Sequence, residues 1–212
     1  MKKEDVKHLR RSYEKESLDI AEADASPIRQ FSKWFNAAMQ LGEFEANAML
    51  LSTATPDGKP SARMMLMKEF GEHGFVFFTN YESRKGREIA NNPKACITFW
   101  WAPLEKQVRI EGVLQKMADS ESEAYFKSRP QGSQAGAIAS PQSTVIPSRL
   151  WLEERFAETE KQKDLQRPPH WGGFILEPEV MEFWQGRPNR LHDRLRYTRT
   201  EDNNWKIERL AP

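Results

Sequence analysis

Ala48-Met49-Leu50-Leu51-Ser52-Thr53-Ala54, Thr55-Pro56-Asp57-Gly58-Lys59-Pro60, Ser61-Ala62-Arg63-Met64-Met65-Leu66-Met67-Lys68: two extended, largely apolar runs flank six residues rich in turn formers. Proline presets the backbone for a reversal and glycine tolerates the left-handed region, so this stretch predicts a β-hairpin over 48–54 and 61–68. The pattern then repeats. Gly74-Phe75-Val76-Phe77-Phe78-Thr79-Asn80 reads as a third strand, and 95–101 with 107–117 as a second hairpin around Ala102-Pro103-Leu104-Glu105-Lys106. Further strands are expected near 173–176, 180–185, 190–199 and 205–210, the last two joined by Glu201-Asp202-Asn203-Asn204.

Helices are fewer. Ser26 can cap and Pro27 can open one over 27–41, with Gly42 ending it. Ile28, Phe31, Trp34, Phe35, Ala38 and Met39 fall on one stripe of it, which predicts a buried face. Shorter helices are expected over 82–91 and from a Ser120/Glu123 capping box to Ser128, and a charged amphipathic one over 148–165. Residues 129–147 show no period, and a structureless stretch of that length is more often functional than idle. Many short antiparallel strands with peripheral helices predict a mainly β (α+β) fold with a barrel-like core. Residues 1–25 read as a solvated N-terminal arm, partly disordered, and 26–212 as a single domain.

Composition narrows the function. With 32 Lys+Arg against 31 Asp+Glu among 212 residues, the chain lacks the basic excess of a nucleic-acid or membrane-surface protein. An anion site must then be a local cluster of cations. One cysteine, Cys96, in an apolar run, favours a buried thiol in a reducing, cytoplasmic setting. The four histidines have no metal-ligand spacing, so no metal is expected, and the charged start is no signal peptide. No Gly-x-Gly-x-x-Gly or Walker loop occurs, which disfavours a nicotinamide Rossmann domain or an ATPase.

Four clusters could carry chemistry. In a strand, Arg63, Met65 and Met67 share one face while Met64, Leu66 and Lys68 share the other. Such a segment could hold a flat ring by its backbone and an anion at its ends, or could be an edge strand with solvated charges. Ser83-Arg84-Lys85 places cations in a first helical turn, against the macrodipole, which makes sense if an anion sits there; solvated surface charge is the other reading. In 190–194, taken as extended, Arg190, His192 and Arg194 project together, and two guanidiniums would lower the histidine pKa. Like charges crowd in this way when an anion relieves them. Tyr125, Arg129 and Ser133, continuing to Gln142 and Ser143, make either a phosphate cradle or an ordinary polar loop.

Taken in order, these segments resemble the pyridoxine (pyridoxamine) phosphate oxidase family. The likeness is carried by His8-Leu9-Arg10-Arg11-x-Tyr13, Arg63 to Lys68, Phe78-Thr79-Asn80 with Ser83-Arg84-Lys85, and Leu104-Glu105-x-Gln107-Val108. It continues through Tyr125-Phe126-x-Ser128-Arg129-Pro130, Ser133-Gln134, Gln142-Ser143 and Trp171-Gly172-Gly173-Phe174. The block Glu182-Phe183-Trp184-Gln185-Gly186 through Arg190-Leu191-His192-Asp193-Arg194 is the most specific, and Trp205-Lys206-Ile207-x-Arg209-Leu210-Ala211-Pro212 also fits.

The resemblance implies an FMN-binding split β-barrel homodimer, with two non-covalent flavin mononucleotide sites shared between the subunits. It implies cofactor contacts at Arg63, Met64, Met65, Leu66, Met67, Lys68, Phe78, Thr79, Arg84, Lys85, Gln107, Gln142, Ser143, Trp184 and Arg194. Substrate contacts fall on Lys68, Tyr125, Arg129, Ser133, Arg190, Leu191 and His192, with Arg190, His192 and Arg194 nearest the chemistry. Arg10, Arg11, Ser12 and Tyr13 belong to an arm that folds over the bound substrate. Three departures stand out: Phe78 replaces a common tyrosine, Ser12 a frequent acidic residue and Ile138 a frequent aromatic.

The implied reaction oxidises pyridoxine 5'-phosphate or pyridoxamine 5'-phosphate to pyridoxal 5'-phosphate. Hydride passes to the flavin, which oxygen reoxidises with release of hydrogen peroxide. Another split-barrel flavin or deazaflavin reductase, or a non-catalytic carrier of flavin or pyridoxal phosphate, are the competing readings. No nucleic-acid or membrane partner is expected.

Overall fold

The computed structural model describes residues 11–42 and 45–212. Among these, nine strands dominate over five α-helices: α1 (Pro27–Met39), β1 (Ala48–Ala54), β2 (Pro60–Leu66), β3 (Glu69–Gly71), β4 (Gly74–Asn80), α2 (Arg84–Asn91), β5 (Lys94–Trp101), β6 (Lys106–Lys116), α3 (Asp119–Ser128), α4 (Gln131–Ala139), α5 (Arg149–Glu160), β7 (Trp171–Gln185), β8 (Asp193–Arg199) and β9 (Trp205–Arg209). The mainly β class expected from the sequence is the one observed. The hydrogen-bonded strand order is β2-β1-β5-β6-β7-β4-β3, with β8 on β7 and β9 on β8. Among the described residues, no helix is long and apolar enough to cross a membrane.

Two compact units share the chain. The first comprises Met1–Met49, Ile97–Glu111 and Glu179–Pro212. Its core grows from α1, whose N-cap Ser26 accepts the Arg29 N–H. Phe31 meets Phe99 edge-on at 5.1 Å, Trp34 meets Phe183 at 5.3 Å, and Phe183 meets Tyr197 at 5.3 Å. Each such buried ring stabilises the fold by roughly 2–3 kcal/mol. The helix stops at Met39 rather than Leu41, and Met39 is exposed, so the predicted stripe is one residue too long. The Tyr197 hydroxyl donates to the Asp24 carbonyl; burial, and then the nearby Asp24 charge, push that phenol up to about 12. Residues from both chain ends meet here: Leu18 N–H donates to Asp193, and Arg209 donates to the Leu18 carbonyl.

The second unit comprises Leu50–Cys96 and Gly112–Pro178. The β1–β2 turn closes as expected, with Thr55 N–H on the Lys59 carbonyl and Gly58 at φ 85°. Strand β4, buried along nearly its whole length, pairs antiparallel with β7 from Phe75↔Leu176 to Asn80↔Trp171. Phe126, Ala135, Leu165 and Trp171 form a further buried cluster against Phe78, Tyr125 and Phe156.

Further expectations differ from the structure, and Cys96, expected to be a buried thiol, is only half-buried. The unpatterned segment 129–147 contains α4, whose small residues Gly132, Ala135 and Ala139 let it lie close to α5. Tertiary packing supplies there what apolar periodicity does not. Helix α3 opens two residues early, its Ala118 N–H held by the Glu121 carboxylate, so Ser120 and Glu123 are not its capping pair. The two strands expected at 173–176 and 180–185 are one, β7: pairing with β4 ends at Leu176 and pairing with β8 starts at Val180. Pro178, which has no N–H, falls between these two registers. Finally, β8 starts at Asp193 rather than Arg190, because Asn189 and Arg190 adopt φ of 56° and 62° and break the extended run.

Candidate active site

Within the second unit a cavity of about 710 Å³ opens beside β2. Met64, Met65, Leu66 and Lys68 all line it. Alternation would put neighbours on opposite faces, so three consecutive lining residues mean that the cavity meets β2 along its edge. The sheet order agrees, since β2 ends it, and Met64 is 63% exposed. Met67 is instead buried in the core.

The remaining wall is aromatic and cationic. Phe78 of β4 stacks on Tyr125 of α3 at 3.8 Å and 19°, and on Trp171 at 5.6 Å and 16°. The Arg129 guanidinium lies 4.6 Å above the Trp171 ring. Arg167 holds the Trp171 main chain, donating to its carbonyl at 2.7 Å while paired with Asp119 and Glu123. Phe78 sits opposite Gly173, where a Cβ would lie 2.9 Å from the Phe78 ring and 2.5 Å from Met117 sulfur; only glycine admits this approach. Arg129 Nη1 is buried with no hydrogen-bond partner, and burial lowers its pKa against the opposing influence of Tyr125. Ser133 lines the same cavity. Trp171 was not among the predicted contacts, although the paired glycines after it were a legible signal of close packing.

Lys85 draws three predicted residues together. It is 7% exposed, and its Nζ donates to Thr79 Oγ1 and Gln142 Oε1, each at 3.0 Å. Burial, and secondarily the Arg63 charge, bring the ammonium down to about 8. The Ser83 hydroxyl caps α2 by accepting the Gly86 N–H. Arg63 faces elsewhere than the cavity lining: it donates to Thr53 Oγ1, Ser61 Oγ and the Leu51 carbonyl, and pairs with Glu88 at 3.3 Å. Glu88 also accepts from Thr53 and Ser61, and from Arg84 at 2.9 Å. Burial pushes this carboxyl up, but hydrogen bonds from Ser61, Thr53, Arg84 and Arg63 prevail and hold it at about 2.

The first unit carries the other cluster. His192 lies 4.5 Å from the Trp184 ring, and Tyr13 stands edge-on to both, at 5.7 Å from Trp184 and 5.8 Å from His192. His192 Nδ1 accepts the Arg187 N–H at 3.1 Å, so the neutral imidazole keeps its proton on Nε2, ready to donate. Its pKa is lowered, as expected, but chiefly by burial and then by Arg190. Arg194 does not share that face. It donates to Glu182 at 2.9 Å and to the Ala211 carbonyl, because residues 190–192 precede the strand. Arg190 and Leu191 are exposed. Gln107 lies on the half-exposed face of β6, and Ser143 adopts φ 69° in the loop after α4. Arg11 pairs with Glu105 at 3.5 Å, Ser12 is exposed, and Arg10 lies outside the described residues.

A family model described as pyridoxamine 5'-phosphate oxidase matches residues 36–163, and one described as the pyridoxine 5'-phosphate oxidase C-terminal dimerisation region matches 171–212. The chain is 52% identical over 209 residues to a pyridoxine/pyridoxamine 5'-phosphate oxidase of Ralstonia pickettii, covering 98% of this chain and 99% of that one. It is 55% identical over 207 residues to one of Paraburkholderia phytofirmans, covering 96% and 97%. Among solved structures, PhzG from Burkholderia lata, in complex with tetrahydrophenazine-1-carboxylic acid, superposes with a TM-score of 0.87 at 33% identity, covering 93% of this chain and all of that one. A pyridoxamine 5'-phosphate oxidase-related, FMN-binding protein from Nostoc punctiforme shares the fold, with a TM-score of 0.71 at 20% identity over 89% of this chain and all of that one.

Proposed function

The chain belongs to the pyridoxamine 5'-phosphate oxidase family, and from that premise we propose that it oxidises pyridoxine 5'-phosphate and pyridoxamine 5'-phosphate to pyridoxal 5'-phosphate. The reading includes a homodimer, favoured by the matched dimerisation region, with two sites that draw residues from both subunits. One observation carries it: Arg129, which lines a cavity with Lys68, Tyr125 and Ser133, keeps a buried N–H without a partner. Buried donors without partners are rare, and a phosphate is the partner that this set of cations and hydroxyls fits.

The residues also fit flavin mononucleotide. The open edge of β2 offers backbone to a flat ring, while Lys85, Thr79 and Gln142 form a polar end suited to its phosphate. When bound, the flavin supplies a two-electron acceptor that takes hydride from the substrate and yields it to oxygen. The chain supplies position and charge. Lys68, Tyr125, Arg129 and Ser133 grip the substrate phosphate, Arg190 covers the pyridine ring, and His192 donates from Nε2 to its polar substituents. Arg190→Ala should lower turnover on the order of a hundredfold at unchanged flavin content. Equal losses in both would remove Arg190 from that role.

Lys85 sets a pH dependence. A phosphate beside it raises its depressed pKa, so binding takes up a proton. Affinity for flavin mononucleotide is then level below pH about 8 and falls above it, by up to about tenfold per unit. Riboflavin, which lacks the phosphate, should show no such fall in the same titration. The free protein behaves oppositely: its folded form releases this proton before the unfolded chain does, so its stability gains as pH rises from about 8 towards 10.5.

The direct test is peroxide release when pyridoxine 5'-phosphate meets the flavin-loaded protein. Release confined to a tetrahydrophenazine carboxylic acid would instead place the chain with PhzG, and no release with tight binding would make it a carrier.

A further inference from the structure

Glu105 ends the turn between β5 and β6 at φ 57° and ψ 35°, a conformation in which glycine is the unstrained residue. Its side chain is nevertheless buried, at 2% exposure. A buried carboxylate needs partners, and here they come from the N-terminal segment. Oε2 accepts the backbone N–H groups of Glu14 at 2.9 Å and Lys15 at 3.2 Å, and Oε1 faces Arg11. The next residue, Lys106, itself buried, pairs with Glu16 at 2.6 Å. The Glu105 main chain holds the other side, its carbonyl accepting the Gly186 N–H at 2.8 Å and the Gln185 amide at 3.3 Å. Tyr13 is seated between these two anchorages. A Cβ on Gly186 would come within 2.7 Å of Tyr13 Cβ and Cγ, so the missing side chain is the space that Tyr13 fills.

We propose that Glu105 is a positioning residue, whose carboxylate seats the backbone beside Tyr13 and so sets the Tyr13 ring against His192 and Trp184. This deepens the oxidase reading and rests on it: Tyr13 and His192 together form an edge that recognises a flat, polar-substituted heteroaromatic phosphoester. A residue kept only for the turn would be glycine; the strain of a left-handed glutamate is held because its carboxylate is used elsewhere.

The test is Glu105→Gly in the full-length, flavin-loaded protein, which preserves the turn and removes the seat. Amide hydrogen exchange in the peptide carrying Glu14 and Lys15 should accelerate at least about tenfold, since both bonds to the carboxylate are lost. The KM for pyridoxine 5'-phosphate should rise about tenfold with flavin content unchanged, while Glu105→Gln, which keeps an acceptor oxygen, recovers most of it. Because Glu105 acts through Tyr13, the variant carrying both Glu105→Gly and Tyr13→Ala should have the KM of Tyr13→Ala alone. Unchanged exchange, or additive KM changes, would overturn the proposal. Should Glu105→Gly not fold, Gly186→Ala dislodges Tyr13 from the opposite side and must raise KM likewise. A wild type without turnover ends the oxidase reading alone, since the exchange measurement still decides whether Glu105 holds the segment.

Discussion

Arg129→Met raises the KM for pyridoxine 5'-phosphate by about two orders of magnitude and leaves the flavin content as it was. Methionine keeps an unbranched stem over the Trp171 ring but removes the fork whose Nη1 is buried without a partner. Losing one side of a buried, charge-assisted contact costs about 2–5 kcal/mol, which is roughly 30- to several thousand-fold in affinity. The free protein has no such loss; removing an unsatisfied buried donor leaves its stability level or slightly higher. Arg129→Lys should not restore affinity, since an ammonium neither stacks flat on Trp171 nor presents two parallel donors. Unphosphorylated pyridoxine is the control. Its KM should barely move, and a parallel rise for both compounds would dissociate Arg129 from the phosphate.

Glu88→Ala should destabilise the protein by about 3–5 kcal/mol, lowering the melting temperature on the order of 10 °C. Glu88 is 6% exposed and neutralises Arg63, while accepting from Thr53 and Ser61. Removing it strands the Arg63 guanidinium, which is the costly half of breaking a buried ion pair. Replacing both, as Glu88→Leu with Arg63→Met, should recover most of the loss, because apolar groups then fill the site together. The pH dependence follows from the carboxyl at about 2. Its stabilisation is complete above the ordinary value of 4.5 and is lost as pH falls towards 2. Urea midpoints between pH 5 and 3 should therefore drop more steeply in the wild type than in Glu88→Ala. Parallel slopes would mean that Glu88 is not the titrating group.

Where the chain carries strong local punctuation, the sequence was enough to place its elements. Ser26-Pro27, the Gly58 turn, Ser148 and the apolar run of β4 each specify their structure within a few residues. The convergence of Tyr125, Arg129 and Ser133 on one cavity was equally legible, because they lie close along the chain. What failed to read was tertiary in origin. Helix α4 has no apolar period and is stabilised by neighbours; Pro178 disguised β7 because a strand that changes partner can spare an N–H. The left-handed pair Asn189 and Arg190 broke the alternation on which Arg190, His192 and Arg194 were placed together. Glu105 stood in a quoted motif, yet its partners lie some ninety residues away in sequence, a distance that no local pattern reports.

The contact between Trp34 and Phe183 bears on how the chain is made. A ribosome adds roughly 5–20 residues per second, so the indole emerges about 7–30 seconds before its cover. Until then the oily flank of the first helix is only partly covered, since Phe99 arrives early enough to receive Phe31 while Trp34 still lacks Phe183. Nascent chains of this protein should accordingly depend on holding factors, and shortening them at the C-terminus should leave aggregates rather than a smaller folded product.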